Sequence, residues 1–271
     1  MTVHDMRIEE GRLPSELFMS RHDKLRGLQE TQEAFNRELQ ENVEAGDSKK
    51  IKDTVVSIVE ETLLEPRSGG LEGLSATVDI LINDYARESG VVSNLINLSY
   101  SDFSTVMHSI NVMALALRFA HFTELPREEM KTLGLSGLLH DTGKCVTKPD
   151  ILKAPRRLTE AEFEEMKKHP LTGYDILKSC RFSDHRVALS ALEHHEKLDG
   201  SGYPAGKKTM DSLSRIIAVI DCYEAITNDD RPYRSAMHPL EALYLMREDV
   251  RQEKIDRRIF ESFSYSLAKQ I

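Results

Sequence analysis

The sequence predicts an all-α protein, on three observations. Apolar residues recur every three or four positions along most of the chain, which is the period of one helix face. No segment combines alternating apolar and polar residues with the turn residues of a β-hairpin, so little sheet is expected. Several glycines and prolines, among them Pro66, Gly69, Gly70, Gly90 and Pro126, fall between the periodic segments, at positions where helices usually begin or end.

Three helices are predicted before residue 90. The apolar face of the first consists of Leu25, Leu28, Gln32, Phe35 and Leu39. This spacing suits either a short coiled coil with another helix or an amphipathic helix packed on its own chain, and the second is our preferred interpretation. The next two helices are predicted over residues 49–64 and 71–88, separated by Pro66 and a glycine pair.

The remainder of the chain predicts one helix after another. The segment 108–122 is apolar on most faces, which is typical of a buried helix. Further helices are predicted over residues 127–139, 160–168, 171–180, 186–198, 213–226 and 239–251. We place a boundary near residue 90, between a smaller helical region (1–90) with a regulatory or dimerising role and a larger domain (91–271).

Composition argues against several classes of protein. The chain carries 36 basic and 45 acidic residues, a formal charge of −9, which disfavours binding to long nucleic acids. No apolar stretch is long enough to span a membrane, and the first residues lack the apolar core of a secretory signal. The three cysteines show no CxxC spacing. We therefore expect a reduced, cytoplasmic protein that does not bind membranes.

Histidine and aspartate residues of the larger domain lie in contexts typical of metal sites. The set consists of His108, His140, Asp141, His169, His194, His195 and Asp221. Any one of these histidines alone would be an ordinary helical residue, but imidazole and carboxylate together suit iron, manganese, nickel or zinc. Asp221 ends the apolar run RIIAVID, where a carboxylate is costly to bury unless it is paired or bound to a metal.

Two dipeptides in this set suggest a shared site. His140 and Asp141 follow the apolar segment LGLSGLL. Neighbouring side chains at a helix end point about 100° apart, so the imidazole can ligate one ion while the carboxylate bridges to a second. His194 and His195 form another adjacent pair, just before the glycine-rich loop LDGSGYP.

The order of these residues resembles the H…HD…D signature of the HD phosphohydrolase superfamily. The segments LLHDTGK (138–144) and HHEKLDGSGYP (194–204) resemble its HD-GYP subfamily, which comprises bacterial cyclic di-GMP phosphodiesterases. The resemblance extends over residues 94–237 and includes KKHPLTGYDIL and RPYR. It implies a helical HD-domain bundle.

The resemblance also implies two divalent metal ions, iron or manganese first, with nickel and zinc as alternatives. One ion would be held by His108, His140, Asp141 and Asp221. The other would share Asp141 as a bridge and take His169, His194 and His195. A hydroxide between the ions would open cyclic di-GMP to pGpG, with further cleavage to GMP left open.

Residues for the substrate follow from the same resemblance. Lys144 matches the family lysine that neutralises the scissile phosphate, and Asp141 and Lys144 are thus the candidate catalytic residues. Arg231 and Arg234 of RPYR resemble residues that contact substrate, and arginine suits phosphate. The alternative is that these arginines cap a helix end or pair with Asp229 or Asp230.

The loop that gives the subfamily its name is Gly202, Tyr203 and Pro204. It is interpreted as a loop beside the site that contacts a protein partner, as a turn held for its shape, or as both. Some family members bind a third metal through a glutamate that is Ser104 here, so the site is expected to be dinuclear. Glu224 stands where aspartate is common in the family.

Two other functions stay open at the level of sequence. The first keeps the site but changes the substrate to another cyclic dinucleotide, such as cyclic GMP-AMP. The second is a weakly active signalling module in which the N-terminal helices and the loop bind a protein partner. The apolar N-terminal helices also suggest a homodimer.

Overall fold

The computed structural model describes residues 21–64, 66, 70–85, 105–180, 182, 184–228 and 237–268. The helices of the N-terminal region are α1 (Arg21–Glu44), α2 (Ser48–Leu64) and α3 (Leu74–Tyr85), the last preceded by a 3-10 turn at Gly70–Gly73. The helices that follow are α4 (Thr105–Phe122), α5 (Arg127–Leu139), α6 (Pro149–Leu152), α7 (Glu160–Met166), α8 (His169–Lys178), α9 (Arg186–Glu193), α10 (Ser212–Thr227), α11 (Pro239–Arg251) and α12 (Arg257–Ala268), with a 3-10 turn at Thr142–Val146 between α5 and α6.

Within the described residues every regular element is helical, so the all-α prediction is confirmed. None of the described helices combines the length and the apolar character that a membrane span requires. The predicted boundary near residue 90 lies outside the described residues.

Helix α1 packs on its own chain, as the preferred interpretation predicted. Leu39 is fully buried in a cluster that includes apolar residues of α2 and α3. Gln32 is also buried, and its Nε2 donates to Thr62 Oγ1 at 3.0 Å and to the Gly70 carbonyl oxygen at 2.6 Å. These bonds satisfy a polar side chain inside the helix interface, which would otherwise destabilise it.

Helix α4 is the central helix of the fold, because it contributes to both hydrophobic cores. Ile110, Met113 and Leu117 pack in a core built from α1–α3, α5, α8 and α9. Val112 and Ala116 pack in a second core with α5, α10, α11 and α12. A helix buried on most sides needs apolar residues all round, which explains the composition of this segment. The first turns of α4 carry His108.

Two glycines bring α8 against the turn that follows α5. A Cβ on Gly143 would lie 2.0 Å from the carbonyl oxygen of His169 and 2.6 Å from the amide nitrogen of Gly173. No side chain fits in that space, so the backbones touch directly. This contact places the start of α8, with His169, beside Asp141.

Several helix ends differ from the prediction. Helix α8 begins at His169 rather than at residue 171, because Pro170 is well suited to a first helical turn. Helix α9 ends at Glu193, so the predicted continuation to residue 198 is wrong. Helix α12 was not predicted, although Asp256 accepts from the backbone N–H groups of Arg258 and Ile259 as a helix cap.

Candidate metal centre

The seven residues of the predicted metal set lie together in one buried cluster. The side chains come from the start of α4, the end of α5, the start of α8, the turn after α9 and the body of α10. His195 is the most accessible of the seven, with 27% of its side chain exposed, whereas His140 and His194 are fully enclosed. The fold thus brings the whole set from distant parts of the sequence to a single centre.

The two carboxylate oxygens of Asp141 face different histidines. Oδ1 lies 3.2 Å from His169 Nε2 and 3.7 Å from His194 Nε2. Oδ2 lies 3.5 Å from His108 Nε2 and 3.4 Å from His140 Nε2. The Asp141 side chain is 1% exposed, and Oδ1 is buried without a hydrogen-bond partner among the described residues. This is the arrangement expected of a carboxylate that bridges two cations.

The tautomers of three histidines follow from their neighbours. Nδ1 of His140 donates to the Gly137 carbonyl oxygen at 2.7 Å, since a carbonyl oxygen only accepts. His169 donates in the same way to the carbonyl oxygen of Met166, and His194 to that of Ala191. In the neutral rings, Nε2 therefore carries the lone pair that a metal requires.

These Nε2 atoms lie unusually close to one another. His169 Nε2 is 3.3 Å from His194 Nε2, and His108 Nε2 is 3.2 Å from His140 Nε2. In the pair of His169 and His194, where both Nδ1 atoms are donors, two lone pairs at that distance repel unless a cation lies near both. Together with the unpartnered Oδ1 of Asp141, this donor set fits divalent metal ions.

Asp221 lies across the cluster from Asp141. Its Oδ1 is 3.1 Å from His108 Nε2 and 3.8 Å from His140 Nε2, while its Oδ2 is 4.0 Å from His195 Nδ1. Three groups of side chains have donor atoms within 4.8 Å of one another. They are the group of Asp141, His169, His194 and His195, the group of His108, His140 and Asp141, and the group of His140, His194 and Asp221. Asp221 therefore neighbours donors from both sides of Asp141.

At neutral pH the protonation states of Asp141, Asp221 and His194 suit metal binding, whereas His108 would have to release a proton. Burial would raise the pKa of Asp141, but Lys144 and His140 hold that pKa well below its usual range. Burial would likewise raise the pKa of Asp221, but His108 holds it well below the ordinary value. Burial lowers the pKa of His194 to about 4. Both carboxylates are thus ionised and His194 is neutral, which are the forms that ligate metals.

The sequence singled out Glu224 but did not predict its contact with His108. Glu224 Oε2 lies 2.5 Å from His108 Nδ1, and Oε1 accepts from the side-chain amides of Asn111 and Asn228. Burial lowers the pKa of His108, but Glu224 and Asp221 raise it, to about 10. The sequence feature that could have indicated this contact is the position of Glu224 three residues after Asp221, which puts both side chains on the same face of α10.

The GYP loop packs against one of the predicted ligands. The ring of Tyr203 lies 4.7 Å from the ring of His195 with an interplanar angle of 30°, and its backbone N–H donates to the His195 carbonyl oxygen at 3.1 Å. A Cβ on Gly202 would lie 2.4 Å from Lys197 N and 2.5 Å from the His195 carbonyl oxygen. Gly202 is therefore required for the close approach that seats Tyr203 on His195.

The far side of the loop is tied to the turn after α9. The peptide bond between Tyr203 and Pro204 is cis. Glu196 is buried, and its two carboxylate oxygens accept from the backbone N–H groups of Ala205 at 2.7 Å and Lys207 at 2.9 Å. These bonds support the interpretation of the loop as a turn of defined shape.

The predicted substrate residues are only partly covered by the described residues. Lys144 Nζ lies 2.5 Å from Asp141 Oδ2, and its side chain is 22% exposed. It therefore borders the cluster, as its place in the motif suggested. Arg231, Arg234 and Ser104 lie outside the described residues.

Comparison with known proteins agrees with this geometry. The HD domain family matches residues 90–259. The chain is 39% identical over 176 residues to the cyclic di-GMP phosphodiesterase PA4108 of Pseudomonas aeruginosa, a match that covers 64% of this chain and 42% of that protein. It is 38% identical over 159 residues to the 3'3'-cGAMP-specific phosphodiesterase 1 of Vibrio cholerae, covering 58% of this chain and 36% of that protein. The matches thus span less than half of either relative.

A solved structure shares the fold. It is Bd1817, a HDG"Y"P protein from Bdellovibrio bacteriovorus, which superimposes with a TM-score of 0.70 at 18% identity over 89% of this chain and 78% of that one. The family match covers more than half of the 271 residues and includes the whole predicted metal set. The chain belongs to the HD domain family.

Proposed function

We propose that this protein is a metal-dependent phosphodiesterase that hydrolyses cyclic di-GMP to the linear dinucleotide pGpG. The observation that carries the proposal is Asp141, whose two oxygens face two separate groups of imidazole nitrogens. A shared carboxylate between two donor sets is the arrangement of two-metal phosphodiesterases. The 39% identical relative from Pseudomonas aeruginosa, named a cyclic di-GMP phosphodiesterase, supports the choice of substrate.

Two divalent ions are proposed for the centre. The first donor set consists of His108, His140, Asp141 and Asp221. The second consists of Asp141, His169, His194 and His195. Nitrogen and oxygen donors without a thiolate favour iron or manganese, with nickel and zinc as alternatives. When bound, the ions would lower the pKa of a coordinated water and offset the charge of the phosphodiester.

The charge of the cluster explains why the substrate needs the metal. Asp141 and Asp221 are both ionised at neutral pH, because nearby cationic and imidazole groups hold their pKa values low. A cyclic dinucleotide carries two phosphodiester charges, so the three carboxylates of Asp141, Asp221 and Glu224 would repel it, and the two cations Lys144 and His108 offset only part of that charge. Binding of substrate is therefore expected only after cations have reversed the local potential.

Lys144 is proposed to neutralise the scissile phosphate. Its Nζ lies beside Asp141 at the edge of the cluster and is partly exposed, so a phosphate that reaches the centre meets this charge. Hydrolysis adds water across one bond between phosphorus and a ribose 3′ oxygen, which leaves a 5′-phosphate and a free 3′-hydroxyl. Arg231 and Arg234 remain predicted contacts of the substrate.

A second candidate substrate is 3′3′-cGAMP. A relative that is 38% identical to this chain over 159 residues is named a 3'3'-cGAMP-specific phosphodiesterase, almost the same similarity as the first relative. The two substrates differ in one purine base, and the reaction at phosphorus would be the same. The remaining alternative is a weakly active signalling module in which the N-terminal helices and the GYP loop bind a protein partner.

One experiment separates these functions. The full chain, purified without oxygen and loaded with Mn²⁺ or Fe²⁺, is incubated with cyclic di-GMP or with 3′3′-cGAMP, and the products are separated by chromatography. Formation of pGpG at the higher kcat/KM supports the proposal. Faster hydrolysis of 3′3′-cGAMP assigns the second substrate instead. Absence of turnover with both substrates, in protein shown to hold two ions, would contradict the proposed activity.

A further inference from the structure

The hydrogen bond between Glu224 and His108 links the centre to a buried carboxylate behind it. Glu224 is 4% exposed, and its Oε2 lies 2.5 Å from His108 Nδ1. An ionised carboxylate only accepts, so Nδ1 donates and Nε2 is directed toward Asp141 and Asp221. The ring of His108 is therefore held at the end opposite to its proposed metal-binding nitrogen.

His108 differs in this respect from three other histidines of the cluster. Nδ1 of His140, of His169 and of His194 each donates to a backbone carbonyl oxygen of its own helical turn or the turn before it. A carboxylate partner makes the opposite ring nitrogen a stronger donor than a neutral carbonyl does. Of these four histidines, His108 is the one whose Nδ1 donates to a carboxylate, that of Glu224, and it lies on the Oδ2 side of Asp141.

The carboxylate of Glu224 is itself fixed by two amides. Asn111 Nδ2 and Asn228 Nδ2 each donate to Oε1 at 2.7 Å, which leaves Oε2 for His108. A glutamine at this position would have one accepting oxygen for two kinds of donor. If the glutamine NH2 group faced His108, two donors would meet, because Nδ1 of His108 also donates. If the glutamine oxygen faced His108 instead, the two asparagine amides would lose their acceptor. The site therefore requires two accepting oxygens.

We propose that Glu224 is a positioning residue that orients His108 and selectively strengthens binding of one ion, the one shared with His140, Asp141 and Asp221. This inference rests on the metal centre of the proposed function. Removal of such a partner typically lowers metal affinity about 10–100-fold. The second ion, held by His169, His194 and His195 with Asp141, has no contact with Glu224 and keeps its affinity.

The test is a calorimetric titration of the metal-stripped full chain with Mn²⁺. The wild type is expected to bind two ions per chain, and Glu224→Gln is expected to weaken one of them about 10–100-fold with the other within threefold. Glu193→Gln is the matched control, because Glu193 is also a buried carboxylate but accepts from Lys207 and Asp211 instead. The control should bind both ions as the wild type does.

A double-mutant cycle shows whether the effect acts through His108. In the background of His108→Ala, the Glu224→Gln change should cost no further affinity, because the ligand that it positions is absent. Glu224→Asp keeps the charge and should restore most of the affinity lost in Glu224→Gln. If Glu224→Gln does not fold, Asn111→Ala weakens the same ion by a smaller factor, since it removes one donor and leaves the carboxylate.

Three results would overturn the inference: unchanged binding of both ions in Glu224→Gln, equal weakening of both ions, or an undiminished effect in the His108→Ala background. None of these measurements requires a substrate. Loss of affinity for a single ion in a protein that hydrolyses no cyclic dinucleotide would leave this inference standing and reject the proposed activity. If the wild type hydrolyses the substrate and Glu224→Gln binds both ions unchanged, the proposed activity stands and the inference on Glu224 is rejected.

Discussion

Lys144 Nζ lies 2.5 Å from Oδ2 of Asp141, the carboxylate oxygen that also faces His108 and His140. The lysine therefore occupies the position where a cation on that side of the centre would be held. A divalent ion bound there would compete with the Lys144 ammonium for one oxygen and would direct the lysine away from Asp141. The lysine charge would then be available to a phosphate.

Replacement of Lys144 is expected to separate metal binding from turnover. In Lys144→Met, Mn²⁺ affinity should equal or exceed that of the wild type, because a competing positive charge is gone. Turnover of cyclic di-GMP should fall about 10²-fold, the usual effect of removing one group that stabilises developing charge. Lys148→Met, a change at an exposed lysine nearby, is the control. Weaker Mn²⁺ binding in Lys144→Met would contradict this role.

The glycine contact between Gly143 and α8 predicts a strong effect of a single methyl group. Gly143→Ala places Cβ 2.0 Å from the His169 carbonyl oxygen, so the backbone must move and carry His169 away from Asp141. We expect the free energy of unfolding to fall by about 1–3 kcal/mol and turnover to be lost. Chemical denaturation and the phosphodiesterase assay measure the two effects.

Gly27→Ala is the matched control, because a Cβ there meets nothing within 4 Å and the residue lies in helix α1. It should raise the free energy of unfolding by about 0.5–1 kcal/mol and leave turnover unchanged. Equal tolerance of alanine at Gly27 and Gly143 would show that α8 does not need this close approach.

The ring of Tyr203, rather than its hydroxyl group, is expected to matter for His195. Tyr203→Phe keeps the contact between the rings and should retain most of the activity. Tyr203→Ala removes the contact and exposes His195, so kcat/KM should fall about tenfold or more, by analogy with other outer residues of metal sites. Steady-state kinetics of the Mn²⁺-loaded variants distinguishes the two. A loss in Tyr203→Phe as large as that in Tyr203→Ala would assign the effect to the hydroxyl.

The capping box of α7 predicts a pH dependence at the edge of the site. The Glu162 carboxylate accepts from Arg156 and from the Thr159 backbone N–H, which lowers its pKa to about 2 from the ordinary value of 4.5. Because the folded pKa is the lower one, the stabilisation is present above pH 4.5 and is lost as the pH falls from 4.5 toward 2.

A titration of the Glu162 side-chain carboxyl by NMR checks this prediction. The pKa should lie well below 4.5 in the wild type and should return toward 4.5 in Arg156→Gln, which removes the largest cause of the shift. A wild-type carboxyl that titrates near 4.5 would show that the pair with Arg156 does not persist in solution.

The candidate site was readable from the sequence because its residues occur in ordered motifs. His140 with Asp141, and His194 with His195, are adjacent pairs at helix ends, so their types and order were sufficient to group them. The burial of α4 was equally readable, since a helix with apolar residues on most faces is typically buried.

The contacts behind the site were not readable in this way. Glu224 and His108 are 116 positions apart, and their pairing depends on how α10 crosses α4. The role of Gly143 depends on its distance to His169, which local propensity does not contain. The end of α9 at Glu193 was also missed, because residues 194–199 contain no glycine or proline to mark a helix end. Tertiary packing decides all three.

The central claim is that Asp141 joins two divalent ions in a phosphodiesterase centre. The most direct measurement is the metal content of anaerobically purified protein by elemental analysis, with cyclic di-GMP turnover on the same sample, for the wild type, Asp141→Ala and Asp175→Ala. Asp175 is an exposed aspartate of α8 and serves as the control. We expect about two ions per chain and pGpG formation in the wild type and the control. In Asp141→Ala both ions and turnover should be lost with the helical content retained. Two ions or full turnover in Asp141→Ala would contradict the claim.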